Sequence, residues 1–170
     1  MESRLTLSNH ELSYLHHGFG PRFGRVQRVE LVFCSDRSNP SWRNGPANEV
    51  GFLWKHSFVD GIIADATVYV LAYPTDTRRA VGRIQTTSTS IGNAKENVLR
   101  GLMHELIHVQ QAWLHDPDFD KVYAAKDPYS KNVFEHQAYR EAEAWINRNG
   151  GRVKKGDFDR YLPSWLLQKG

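Results

Sequence analysis

His104, Glu105 and His108 stand in the order H-E-x-x-H. On an α-helix, residues four apart share one face a single turn apart. Two imidazoles at that spacing therefore reach one metal ion from a rigid rod. A glutamate directly after the first histidine lies beside such an ion without joining the ligand row, where it can take a proton from a metal-bound water. Zinc suits this donor set and lowers the pKa of its bound water to about 7, so a hydroxide-like nucleophile forms at neutral pH. The chain holds 8 histidines, and shuffling its composition would create the motif in about 2% of chains, which makes chance a weak explanation. Apolar residues of the same stretch recur at Val98, Leu102, Leu106, Val109 and Trp113, the spacing of one helical face. The histidines occupy the other flank. Two ordinary surface histidines are the bland alternative.

A zinc hydrolase needs a third protein ligand and an open fourth position. His115 follows His108 by seven residues, which is about 10 Å along the axis, too far for zinc bonds of about 2 Å. The extension H-x-x-G-x-x-H fails, because Gln111 and Leu114 stand at its Gly and His positions. The ligand is therefore sought on a second helical stretch, whose stripe comprises Phe134, Ala138, Tyr139, Ala142, Trp145 and Ile146. At 100° per residue, Glu135 lies about 35° from the stripe centre and Glu141 about 85°, with Glu143 and His136 more than about 110° away. A carboxylate within a buried face needs a partner. Zinc would be that partner, and Ala138 and Ala142 leave room for close helix approach. Glu135 leads as third ligand, Glu141 follows, and a capping box over Asn132-Val-Phe-Glu135 is the structural alternative.

The run H-E-L-I-H-V-Q-Q, with F-E-H-Q-A-Y at residues 134–139, resembles the gluzincin group of zinc metallopeptidases. It looks most like the small toxin-type metallopeptidase domains of bacterial effectors and phage proteins. The likeness covers residues 93–147 and departs from the group's N-E-x-x-S-D pattern, because Tyr139 stands where an Asp would orient a histidine. The resemblance implies zinc held by His104, His108 and Glu135, with Glu105 as base and then acid in hydrolysis of a peptide bond by zinc-bound water. It also implies a zincin-like fold, with a small, mostly antiparallel sheet above the active-site helix and a second long helix carrying the third ligand. Hydroxide attack leaves an oxyanion that a Tyr, His or Arg can stabilise beside the metal. Tyr139 is the first candidate because it shares the Glu135 face, while His136, Tyr123, Tyr129 and Arg140 stay open. By analogy, the strand around Ala66 to Leu71 would pair with substrate. A rival from another class is a zinc-containing binding or scaffold module with a degenerate, non-catalytic site.

The elements that must position these residues read as α+β in one domain over residues 1–170, with strands before long helices. Ser8-Asn-His-Glu11 is a capping box that opens a short helix, closed by the loop Gly18 to Pro21. Val26 to Phe33 and Ile62 to Tyr73 are strand-like, and Ala80 to Thr87 could pair with the latter. Asp36 to Asn48 reads as loop. Asn93 with Glu96 forms a capping box for the first long helix, which stops before Pro117. The second long helix starts near Pro128 or Asn132 and is expected to end at Asn149-Gly150-Gly151. Asp116 to Asp120 lacks the Gly and bidentate Glu of a calcium loop and reads as a turn.

The whole chain, 170 residues with 24% charged and 40% hydrophobic, is that of a globular domain rather than a disordered one. A net charge of +3 is too even to suggest nucleic acid, and no apolar run is long enough to span a membrane. The polar N-terminus lacks the core of a secretory signal. The expected location is cytoplasmic, or exported without a cleavable signal. A peptide or protein is the expected substrate, with any immunity or delivery partner unassigned. The single cysteine, Cys34, excludes an internal disulfide and reads as a small core residue rather than a metal cap.

Overall fold

The computed structural model describes residues 1–15, 26–36, 38–42, 51–59, 62–72, 91–115 and 132–168. The elements run β1 (Glu2–Ser8), α1 (Asn9–Leu15), β2 (Arg28–Cys34), β3 (Gly51–Val59), β4 (Ile62–Leu71), α2 (Ile91–His115), α3 (Val133–Lys155) and α4 (Ser164–Leu167). Short 3₁₀ turns occupy Pro40–Trp42 and Asp159–Tyr161. The architecture is α+β, a small sheet with helices packed on it. Among the described residues, no helix is long and apolar enough to cross a membrane.

The four strands lie in the order β1-β2-β4-β3. The two outer pairings are antiparallel, but the central β2–β4 pairing is parallel, so the sheet is mixed rather than simply antiparallel. A parallel pair needs a long crossover, and the intervening chain supplies it while contributing β3 to the far side of β4. With β2 and β3 on its two sides, β4 is enclosed from Ala66 to Val70, so this stretch cannot pair with a substrate strand, which corrects that expectation.

Side chains alternate across the sheet. Leu5 and Leu7 of β1, Val29, Leu31 and Phe33 of β2, and Ala66, Val68 and Val70 of β4 join the main core. Val32, Cys34 and Leu71 point the other way and pack with Trp42 and Tyr69. The register aligns the inward residues in rows, Leu5 opposite Leu31 and Leu31 beside Val68, as the period of two requires. Cys34 is a buried free thiol in this second cluster, as a small core residue would be.

Helix α2 packs against β4 and β3 on one side and, more extensively, against α3 on the other. From Asn97 to Ala112 it is buried nearly all round, which is why its apolar residues overrun a single stripe. It begins at Ile91, so Asn93 lies inside the helix rather than at its cap. Helix α3 opens at Asn132, whose Oδ1 accepts from the Phe134 and Glu135 amides at 3.0 and 3.3 Å. It runs through Gly150 and Gly151 instead of stopping there. Val153, one turn further on, is buried in the main core, and that packing outweighs the two weak helix formers. The end comes at Gly156, in the left-handed region at φ 88°. There the Gly156 and Asp157 amides donate to the Val153 and Arg152 carbonyls, both at 3.1 Å, a Schellman arrangement.

Other contacts hold the helices in place. Trp145 Nε1 donates to the Leu15 carbonyl at 2.6 Å, tying α3 to α1, and Trp165 Nε1 donates to the Ala72 carbonyl at 3.0 Å. Arg100 of α2 meets Glu143 of α3 at 2.6 Å. Glu143, expected on the solvent side, therefore spans the helix pair. The capping box at Ser8 is present: the Ser8 amide donates to Glu11 Oε2 at 3.0 Å, and the Glu11 amide donates to Ser8 Oγ at 3.3 Å. The segments Gly18 to Pro21, Ala80 to Thr87 and Asp116 to Asp120 lie outside the described residues.

Candidate metal centre

The α2–α3 interface brings three of the expected ligands together. His104 and His108 project from successive turns of α2, and Glu135 faces them from the first turn of α3. His104 Nε2 lies 3.0 Å from Glu135 Oε2, and His108 Nε2 lies 3.2 Å from Glu135 Oε1. The two Nε2 atoms are themselves 3.0 Å apart, with the rings edge to face. Three groups rich in lone pairs thus converge on one point. A tetrahedral zinc with bonds of about 2.0–2.1 Å separates its ligand atoms by about 3.3 Å, so these side chains fit the ion with adjustments of a few tenths of an ångström. Together His104, His108 and Glu135 form a group that could hold a metal ion.

The three side chains are nearly buried: His104, His108 and Glu135 keep 12%, 6% and 11% exposure. Burial pulls the His104 pKa below the ordinary histidine value, and Glu135 offsets this only in part. Burial acts on His108 in the same direction, but Glu135, Glu105 and Gln111 outweigh it, so its pKa is raised. Burial would raise the Glu135 pKa. Its pairing with both histidines dominates and holds its carboxyl well below the usual carboxylate range. The cluster therefore keeps Glu135 ionised, the form a cation requires.

Glu105 is buried and on α2 directly after His104, and its charge is felt at His108. Asn132 supplies the N-cap half of the expected capping box by accepting from the Glu135 amide, while both Glu135 carboxylate oxygens face the histidines. Glu141 lies away from the histidines and accepts from Gln137 Nε2 at 2.9 Å. Tyr139 follows Glu135 by one turn but is 39% exposed, and its hydroxyl makes no hydrogen bond among the described residues. His136 and Arg140 are exposed, while Tyr123 and Tyr129 lie outside the described residues.

No family model, curated protein or solved structure matches this chain. The site therefore rests on its own geometry.

One group was missed by the sequence reading. Gln111 is buried, and its Oε1 lies 2.8 Å from His108 Nδ1, the nitrogen facing away from the cluster. The signal was available. Gln111 is three residues past His108, about 60° round the helix, so a buried polar side chain there has to meet either the histidine or the facing helix.

Proposed function

We propose that the chain is a zinc-dependent metallopeptidase. The observation that carries this reading is the meeting of both H-E-x-x-H histidines with a carboxylate from another helix, within 3.0 to 3.2 Å. Two histidines on one helix with a separate carboxylate are the donor set of catalytic zinc sites, which keep one position open. When bound, zinc would lower the pKa of a water and polarise the substrate carbonyl.

The residues divide the remaining work. His104, His108 and Glu135 would hold the ion. Glu105 takes the proton from the attacking water on its carboxylate and returns it to the leaving amine, so the reaction consumes no net acid or base. Its burial favours that exchange by keeping bulk water from competing for the proton. Tyr139 is the candidate oxyanion donor; from its outward position it would have to turn toward the site when substrate binds. With that stretch of β4 enclosed, β3, the edge strand of the two that packs against α2, takes over as the candidate strand for substrate pairing. A delivered effector or toxin is the setting suggested by the sequence resemblance.

The rival reading, a zinc-containing scaffold with a degenerate site, draws on the depth of His108 and Glu135, since closed centres are typical of structural zinc. Zinc-loaded protein and its Glu105→Gln variant, incubated with an unfolded protein, separate the two. The metallopeptidase reading expects hydrolysis by the parent, and a loss of about 10²–10⁴-fold in a variant that still holds zinc. Equal rates in both would remove Glu105 from its role, and no cleavage by the zinc-loaded parent would favour the scaffold.

A further inference from the structure

Behind the metal-facing side of His108 runs a chain of side-chain amides. Glu141 Oε1 accepts from Gln137 Nε2 at 2.9 Å, and Gln137 Oε1 accepts from Gln111 Nε2 at 3.1 Å. Gln111 Nε2 also donates to the Phe134 carbonyl at 2.9 Å, and Gln111 Oε1 faces His108 Nδ1 at 2.8 Å.

Each link fixes the next. A carboxylate only accepts, so Gln137 must turn its NH₂ toward Glu141 and its oxygen toward Gln111. The Phe134 carbonyl also only accepts. Gln111 must therefore present its NH₂ to both, which leaves its oxygen for His108. Flipping Gln111 would set its oxygen against two other acceptors in a buried site, losing two hydrogen bonds and leaving buried polar atoms opposed. An oxygen at Nδ1 requires a proton there. His104 has no such partner among the described residues, so the preorientation of the pair rests on His108.

We propose that Gln111 is the positioning residue of this centre: its amide, locked by Phe134, Gln137 and Glu141, places the His108 proton on Nδ1 and leaves Nε2 as a lone pair aimed at the cluster. A neutral amide thus takes the place a carboxylate or backbone carbonyl usually fills behind a metal-binding histidine. The link to metal affinity rests on the metallopeptidase reading, whereas the tautomer does not. Two acceptors compete for the His108 proton, Gln111 at Nδ1 and Glu135 at Nε2. Removing Gln111 hands the proton to the Glu135 side, where an arriving ion must displace it.

The test uses the metal-free chain at pH 8 and long-range ¹⁵N–¹H spectra of the histidine rings, with His108→Gln to assign the signals. The parent should carry a proton on His108 Nδ1. Gln111→Met, which keeps the bulk and removes the acceptor, should move it to Nε2 and weaken zinc binding by about 10–100-fold in a competition titration. Gln111→Glu keeps an acceptor and should keep the Nδ1 proton, so it decides the matter if the Met variant fails to fold. A parent protonated on Nε2 alone, a Gln111→Met protein with an unchanged tautomer or unchanged zinc affinity, or a Gln111→Glu protein protonated on Nε2 alone would overturn the assignment. A parent that binds no zinc would end the metallopeptidase reading while leaving the tautomer result standing.

Discussion

Chelation should loosen the whole helical layer. An ion held by His104 and His108 on α2 and by Glu135 on α3 crosslinks the two longest helices at their main contact, so its binding energy is also folding energy. Zinc at a thousandfold excess over its dissociation constant stabilises the native state by about 4.1 kcal/mol. Unfolding entropy of about 2.1 cal/mol/K per residue gives about 0.36 kcal/mol/K for 170 residues. The quotient is a shift of about 11 °C in Tm. Thermal melts followed by circular dichroism at pH 7.5, with a chelator and after zinc is restored, measure it. Both histidines must be neutral to bind, and His108 holds its proton above the ordinary histidine value of about 6.5, so the shift should shrink as pH falls from above that value. Glu135→Ala removes the α3 leg of the crosslink, and its melt should barely respond to chelation. A parent melt indifferent to the chelator, or a Glu135→Ala protein that responds as fully as the parent, would refute the crosslink.

The cap of α3 can be separated from its ligand. Asn132→Ala should lower stability by about 1 kcal/mol, read from denaturant melts of the chelated protein, yet leave zinc binding in place. Burial pushes the Cys34 thiol up to about 11, so native protein at pH 8 should react with iodoacetamide far more slowly than unfolded protein. The neutral thiol is the stabilising form. That contribution is complete below the unfolded value of about 8.5 and is lost as pH rises toward the folded one. Equal alkylation rates in native and unfolded protein would place Cys34 outside the core.

The site was more legible than the sheet. The spacing of His104 and His108 and the placement of Glu135 within the α3 stripe depend on helical periodicity, a local property that survives folding, and all three groups meet. Strand Glu2–Ser8 offered only Leu5 and Leu7 as alternating apolar residues, too short a signal beside the stronger capping box at Ser8. The central position of β4 was not legible at all, because partner order in a sheet depends on contacts distant in sequence. Gly150 and Gly151 looked like a helix end by propensity, and tertiary packing of Val153 overrode them. The locking of Gln111 needed the Phe134 carbonyl and Gln137 from a second helix, which no pattern along one helix contains.

Metal content of the purified chain tests the central claim most directly. After exposure to excess zinc and gel filtration, the parent should carry about one zinc per chain, a single site of three protein ligands. Glu143→Ala should retain that ratio and Glu135→Ala should lose most of it. A parent that retains no zinc, or a Glu135→Ala protein that retains its full share, would contradict a metal centre built from His104, His108 and Glu135.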